Sequence, residues 1–141
     1  MTLAPPFLSW TCLPFLILAH TLVLTPSQPP ACSHRRDWDR MQRVLEYMQA
    51  HLDQELPLAA LAAVAQMSPY HFSRLFRQST GLSPHQYILQ QRIAWATRLL
   101  VEPQLSVAAI AYRVGFASQA HFTTIFRRWV GTTPWQYRQQ R

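Results

Sequence analysis

The chain has no lysine, three glycines, two cysteines and, beyond residue 57, one acidic side chain. Three glycines cannot build a Gly-rich phosphate loop, and no Ser, His and acid stand in a recognisable nucleophile pattern. The six acids lie mostly in the first 57 residues, so an enzyme is not expected. Two cysteines give neither a disulfide framework nor a four-ligand metal set. Cys12 and Cys32 have His20 and His34 nearby, but no pair has helical or knuckle ligand spacing, and no metal or other cofactor is expected. No run alternates apolar and polar residues long enough to demand a strand, which makes the reading all-α. At 141 residues the chain has room for one ordinary domain, or a smaller one with an appendage.

Charge is distributed unevenly. Every cation is Arg, a bias that the base composition of a genome can produce, so it carries no argument about mechanism. From Leu58 to Arg141 nine Arg stand against Glu102 alone, a balance of +8, whereas Met1 to Pro57 balances at −1. The excess positive charge is what a surface meeting a polyanion requires.

Residues 1–37 form a candidate N-terminal extension. Residues 1–34 contain no Asp, Glu, Lys or Arg and hold six of the eleven prolines. Phe7 to Leu24 is mostly apolar, yet Pro14 and His20 interrupt it and no basic residue precedes it as in a secretory signal. Its continuous part, Leu13 to Leu24, is short for a bilayer-crossing helix. Two readings stay open. The favoured one is a disordered extension or a stretch translated from a misplaced start, with Met41 as a later initiator. The other, not favoured, is a basic interaction protein attached to a membrane partner through an anchor at 7–24.

From residue 38 the chain reads as short, well-punctuated helices. Met41, Val44, Leu45, Met48 and Leu52 form one apolar stripe. Pro57 starts an Ala-rich helix, Ser68 with Pro69 opens a third that stops at Gly81, and Ser83 with Pro84 opens a fourth. The fourth is expected to run from Ser83 to Glu102, about 30 Å at the helical rise. Ser106, Ser118 and Thr133 open three more, for about seven in all.

A stretch of about thirty residues occurs twice. Ser68, Phe72, Phe76, Arg77, Gly81, Pro84, Gln86 and Tyr87 recur fifty positions later as Ser118, Phe122, Phe126, Arg127, Gly131, Pro134, Gln136 and Tyr137. Upstream of Ser68 the offset is 49, so Ala117 is an extra residue in a turn. Each copy is a short helix, a tight turn and a second helix, with Ala62 and Ala65, or Ala111 and Gly115, where the two approach. This is helix-turn-helix grammar.

The outer face of the second helix separates this reading from an ordinary α-hairpin. With Phe72, Leu75 and Phe76 inward, Tyr70, Arg74 and Arg77 face out beside Ser73. With Phe122, Ile125 and Phe126 inward, Ala120, Thr124 and Arg127 face out beside Thr123. Neither row contains an acid. Small polar groups and Arg suit base edges in the major groove, with Arg74 the foremost candidate, while Arg77, Arg127 and Arg128, farther along, suit phosphates. The N-termini at Ser68 and Ser118 could also hold phosphate. Trp95, Trp129, Trp135, Tyr87 and Tyr137 read as packing residues, and Arg113, Arg138 and Arg141 as solvated charge. A connector of about 30 Å is close to the roughly 34 Å between successive major-groove faces of B-DNA, so one monomer could read two adjacent turns of an asymmetric site.

Residues 38–141 resemble the DNA-binding domain of the AraC/XylS family of bacterial transcription regulators. The resemblance rests most on Ile110-Ala111, Val114-Gly115-Phe116, Ser118, Phe122, Phe126, Arg127, Gly131, Pro134 and Tyr137-Arg138, with Arg92, Ala96, Leu99 and Leu100 on the connecting helix. It implies two homeodomain-like helix-turn-helix units with recognition helices at about 69–79 and 119–130 in adjacent major-groove segments of double-stranded DNA. Carried over by position, the base-reading residues are Tyr70, Ser73 and Arg74, then Gln119, Ala120, His121, Thr123 and Thr124. The resemblance further implies an activator working with RNA polymerase in the bacterial cytoplasm. About 37 residues precede the match, too few and too Pro-rich for the usual sensing domain, so no small-molecule effector is expected. The chain is similar in size to the family's small stand-alone members, which implies monomeric binding.

Overall fold

A computed structural model describes residues 32–140, with side chains from Arg35 onward. The apolar stretch 7–24 and the Cys12, His20, Cys32 and His34 side chains lie outside what is described. Among the described residues there are seven helices and no strand: α1 Cys32–Ala50, α2 Leu58–Val64, α3 Pro69–Thr80, α4 Pro84–Leu99, α5 Val107–Arg113, α6 Gln119–Val130 and α7 Pro134–Gln139. The first helix begins at Cys32, upstream of residue 38 where the change of composition places the domain. No described helix is long and apolar enough to cross a membrane.

The stops and starts follow local chemistry. Ser68, Ser83, Ser106, Ser118 and Thr133 have extended backbones, and each side chain accepts the N–H three residues on, satisfying one donor that the helix leaves unpaired. Ser83–Gln86 and Thr133–Gln136 complete reciprocal capping boxes at equivalent places in the two copies. The turn inside each copy is also the same. Gln66 and Met67 donate back to Ala63 and Ala62 at 3.0 Å, and Gly115 and Phe116 donate to Tyr112 and Ala111 at 3.0 and 2.9 Å. This double bond pattern needs a left-handed residue at its corner, supplied by Gln66 at φ 55° and Gly115 at φ 93°.

That register corrects one expectation. Ala62, Ala65 and Ala111 are buried as small residues between helices, but Gly115 is the corner of the turn, equivalent to Gln66. Val114, not Gly115, is the buried counterpart of Ala65.

Two cores result. The first joins the whole α1 stripe, Met41, Val44, Leu45, Met48 and Leu52, to Leu61, Phe72, Phe76, Tyr87 and Ile88. The second joins Leu89, Ile93, Ala96 and Leu100 to Ile110, Val114, Phe116, Phe122 and Phe126. Helix α4 thus gives its first turns to one core and the rest to the other, and Trp95 packs against both. The aromatic chains match closely: Phe72–Phe76–Tyr87 has centroid separations of 5.5 and 5.4 Å, and Phe122–Phe126–Tyr137 has 5.5 and 5.6 Å. Buried Gln91 accepts a 2.8 Å bond from Gln49, docking α1 on α4. Burial raises the Tyr87 pKa, and a hydrogen bond with Gln49 partly offsets this.

The connecting helix is shorter than the sequence suggests. It ends at Leu99 after 16 residues, about 24 Å at the helical rise, instead of continuing to Glu102. Pro103 disfavours helical backbone at Glu102, and the chain leaves α4 through a tighter turn in which Glu102 N–H meets the Leu99 carbonyl at 3.0 Å. Length alone therefore does not set the relation of the two units.

Arginines tie the loops down. Arg92 Nε donates to the Leu52 carbonyl at 2.8 Å and Nη2 to that of Gln54 at 2.6 Å. Arg138, expected to be solvated, instead donates to Leu100 at 3.2 Å and Leu105 at 2.6 Å. A Cβ on Gly115 would lie 2.6 Å from the Leu52 carbonyl oxygen and 2.8 Å from the Arg92 guanidinium carbon, whereas one on Gly81 (φ 77°) would meet nothing within 4 Å. Gly81→Ala should therefore cost only left-handed backbone strain, about 1–2 kcal/mol, and Gly115→Ala should add overpacking for a total of about 3 kcal/mol or more. Urea unfolding midpoints at constant slope measure both, and equal losses would mean that the second turn is not tightly seated.

Candidate nucleic-acid interface

Two helices carry the candidate residues, each held from behind by its own core. On α3, Phe72 and Phe76 are fully buried and Leu75 half-buried; on α6, Phe122, Phe126 and Ile125 repeat the arrangement. The opposite faces are open. Tyr70 is 79% exposed, and Arg74 and Arg77 are exposed with it, with Ser73 half-buried at the edge. On α6, Gln119, Ala120, His121, Thr124, Arg127 and Arg128 are exposed and Thr123 is half-buried. The sequence-derived residues of each copy thus share one helix and one face. Ser68 and Ser118 lie at the helix starts as caps.

Electrostatically both faces are unneutralised. Among the described residues the one ion pair is Arg40–Asp37, 3.8 Å apart on α1. Arg74, Arg77, Arg127 and Arg128 have no carboxylate partner there, which leaves four guanidinium groups for phosphates or base edges. An exposed aromatic such as Tyr70 also has no packing reason to sit on a solvated helix face.

The two N-termini differ in what they offer an anion. The Ser68 and Ser118 side chains accept the His71 and His121 N–H at 3.3 and 3.2 Å. Pro69 has no N–H, so ahead of that capped group α3 presents only the N–H of Tyr70, whereas α6 presents those of Gln119 and Ala120. The Thr124 hydroxyl donates to the Ala120 carbonyl at 3.0 Å, which commits its proton and leaves its lone pairs for an incoming donor.

His71 and His121 occupy equivalent positions with different surroundings. The His121 ring stands edge-on to Phe116, with centroids 5.4 Å apart, where the first copy has Met67. His121 also lines a cleft of about 340 Å³ between the units, with Glu55, His85, Arg92, Gly115 and Phe116. Trp135, expected in the core, is 63% exposed. It occupies the position equivalent to His85, beside the cap of the helix that follows each reader. No group of three His, Cys, Asp or Glu among the described residues could hold a metal.

Sequence reasoning missed the roles of Arg92 and Arg138. The carbonyls bound by Arg92 and Arg138 lie 33 to 40 positions away in sequence, and no local pattern announces them. Burial lowers the Arg92 pKa, opposed by the nearby charges of Asp53 and Glu55.

Comparison with known proteins agrees with this geometry. A family model described as a helix-turn-helix domain matches residues 61–140. The regulatory protein PocR of Salmonella typhimurium is 37% identical over 101 residues, which is 72% of this chain and 33% of PocR. The chain thus matches about a third of the length of such curated relatives. Among solved structures, the DNA-binding domain of AdpA in complex with a target DNA superposes with a TM-score of 0.69 at 37% identity, covering 72% of this chain and 91% of that one. A transcriptional regulator from Chromobacterium violaceum with an AraC-type DNA-binding domain superposes with a TM-score of 0.68 at 28% identity, covering 72% of this chain and 91% of the other.

If the outer faces serve recognition and not folding, the two sides of α3 should respond differently to truncation. Tyr70→Ala should change unfolding free energy by no more than about 0.5 kcal/mol, and Phe72→Ala should cost about 3–5 kcal/mol. Thermal and urea unfolding of the two variants check this, and a large loss from Tyr70→Ala would make its ring a packing element.

Proposed function

The chain belongs to the AraC/XylS family of helix-turn-helix proteins, and from that premise we propose that it is a sequence-specific, DNA-binding regulator of transcription and not an enzyme. One observation carries this reading: two equivalent helices, each braced by the same aromatic chain, present acid-free faces with unpaired arginines.

In this reading α3 and α6 enter adjacent major-groove segments. Tyr70, Ser73 and Arg74 read bases in one; Gln119, Ala120, His121, Thr123 and Thr124 read them in the other. Arg77, Arg127 and Arg128 meet phosphates, assisted by the Ser68 and Ser118 ends of the helices, where their oxygen caps the helix and their O–H is left to donate. Because the faces differ, the half-sites differ, and one molecule reads an asymmetric site. The resemblance points to an activator that contacts RNA polymerase in a bacterial cytoplasm, and no small-molecule effector is part of the proposal.

Selection of bound sites from random DNA by the full chain should yield a non-palindromic motif spanning two helical turns. A motif of one turn, or a palindrome bound by two copies, would overturn the two-reader mode. On the selected site Arg74→Ala should cost about 1–3 kcal/mol and relax preference at one position, whereas Arg127→Ala should weaken all sequences alike and lower the salt slope by about 1. Equal losses from both substitutions on selected and random DNA would remove the distinction between reading and anchoring.

A further inference from the structure

One side chain touches both units across the cleft between them. Arg92 leaves the middle of α4 and binds the Leu52 and Gln54 carbonyls of the α1–α2 loop at 2.8 and 2.6 Å. The guanidinium also lies 5.9 Å from the Phe116 ring centre, in cation–π range. Gly115 presses against the same guanidinium so closely that a Cβ would fall 2.8 Å from its carbon. Gly115 and Phe116 are the corner and exit of the turn that leads, through Ala117, to the Ser118 cap of α6. The equivalent corner in the first copy, Gln66, is exposed to solvent.

We propose that Arg92 is a positioning residue for recognition: it sets the orientation of α6 relative to the first unit, and so the spacing of half-sites that the chain accepts, without itself touching DNA. This rests on the two-reader mode above. The two carbonyls fix the guanidinium in its own plane, and the aromatic ring with the bare glycine backbone fixes the element stacked beside it. A planar cation with several donors can do both at once, whereas an ammonium has no plane to present. Arg138 supplies an internal control. It makes the same kind of clamp, on the Leu100 and Leu105 carbonyls, but these belong to the second unit and its approach.

The test uses the full chain, at a temperature where each variant's melting curve shows it folded. The probes are the site selected by the wild-type chain, the same site with one base pair inserted or removed between its halves, and the site with either half scrambled. Arg92→Gln should reduce the preference for native spacing by about tenfold while changing binding to either half alone by less than about threefold. Arg92→Lys should fall between Arg92→Gln and wild type. Arg138→Gln should weaken binding to the half read by α6 and keep the spacing preference within about twofold of wild type. Spacing preference unchanged in Arg92→Gln overturns the inference alone, as does a loss shared equally by every probe. A wild-type chain indifferent to spacing overturns the two-reader mode, and this inference with it.

Discussion

The Arg92 guanidinium solves a problem that the helices cannot. The loop between α1 and α2 has carbonyls, at Leu52 and Gln54, with no helical donor to meet them, and Leu52 is buried. A partly buried carbonyl left unpaired costs about 1–3 kcal/mol, while a hydrogen bond to a charged donor contributes about 1.5–3 kcal/mol. Burial works against the cation and lowers its pKa, and the charges of Asp53 and Glu55 oppose that shift. Arginine suits such a place because its starting pKa is the highest of the basic side chains. The same group then has a face available for Phe116. Loop, connector and second turn therefore converge on one cation.

Elsewhere the two units repeat the same solutions. Serine caps, left-handed corners, reciprocal capping boxes and a three-ring aromatic chain recur with nearly identical geometry. These features fix where each reader lies on its own core, and they say nothing about what it reads. Tyr70, Arg74, Ala120 and Thr124 are exposed, so they can differ between the copies without disturbing the fold. That separation leaves one scaffold, used twice, with two unlike outer faces.

Much of this was legible locally. The α1 stripe, the caps and the inward Phe pairs need only the periodicity of a helix and the chemistry of its ends, and each lies where its pattern implies. The outer rows were legible for the same reason, since assigning Phe72 and Phe76 to the core leaves Tyr70 and Arg74 no other direction. What was not legible depends on distant partners. Arg138 reads as solvated charge because nothing near it in sequence reveals the Leu100 and Leu105 carbonyls. Gly115 reads as a small packing residue because the Leu52 oxygen it must avoid belongs to the other unit. Trp135 reads as core because its size favours burial, yet the N-terminal side of α7 leaves it largely exposed.

The short connector shifts the burden of geometry from length to packing. Had α4 reached Glu102, its own rise would nearly have matched a turn of DNA, and the units could have been thought of as hung on a rod. It stops at Leu99, and both cores consume its surface: Tyr87 and Ile88 on one side, Leu89, Ile93 and Ala96 on the other. Rotation of either unit about α4 would have to uncover those residues or strain Trp95, which packs on both cores. Side-chain packing resists such motion, but apolar contacts have little directional preference. Hydrogen bonds do have direction, and Arg92 places two of them at the point where the second turn meets the first unit. The angular relation of the readers thus depends on a polar contact set into an otherwise apolar joint.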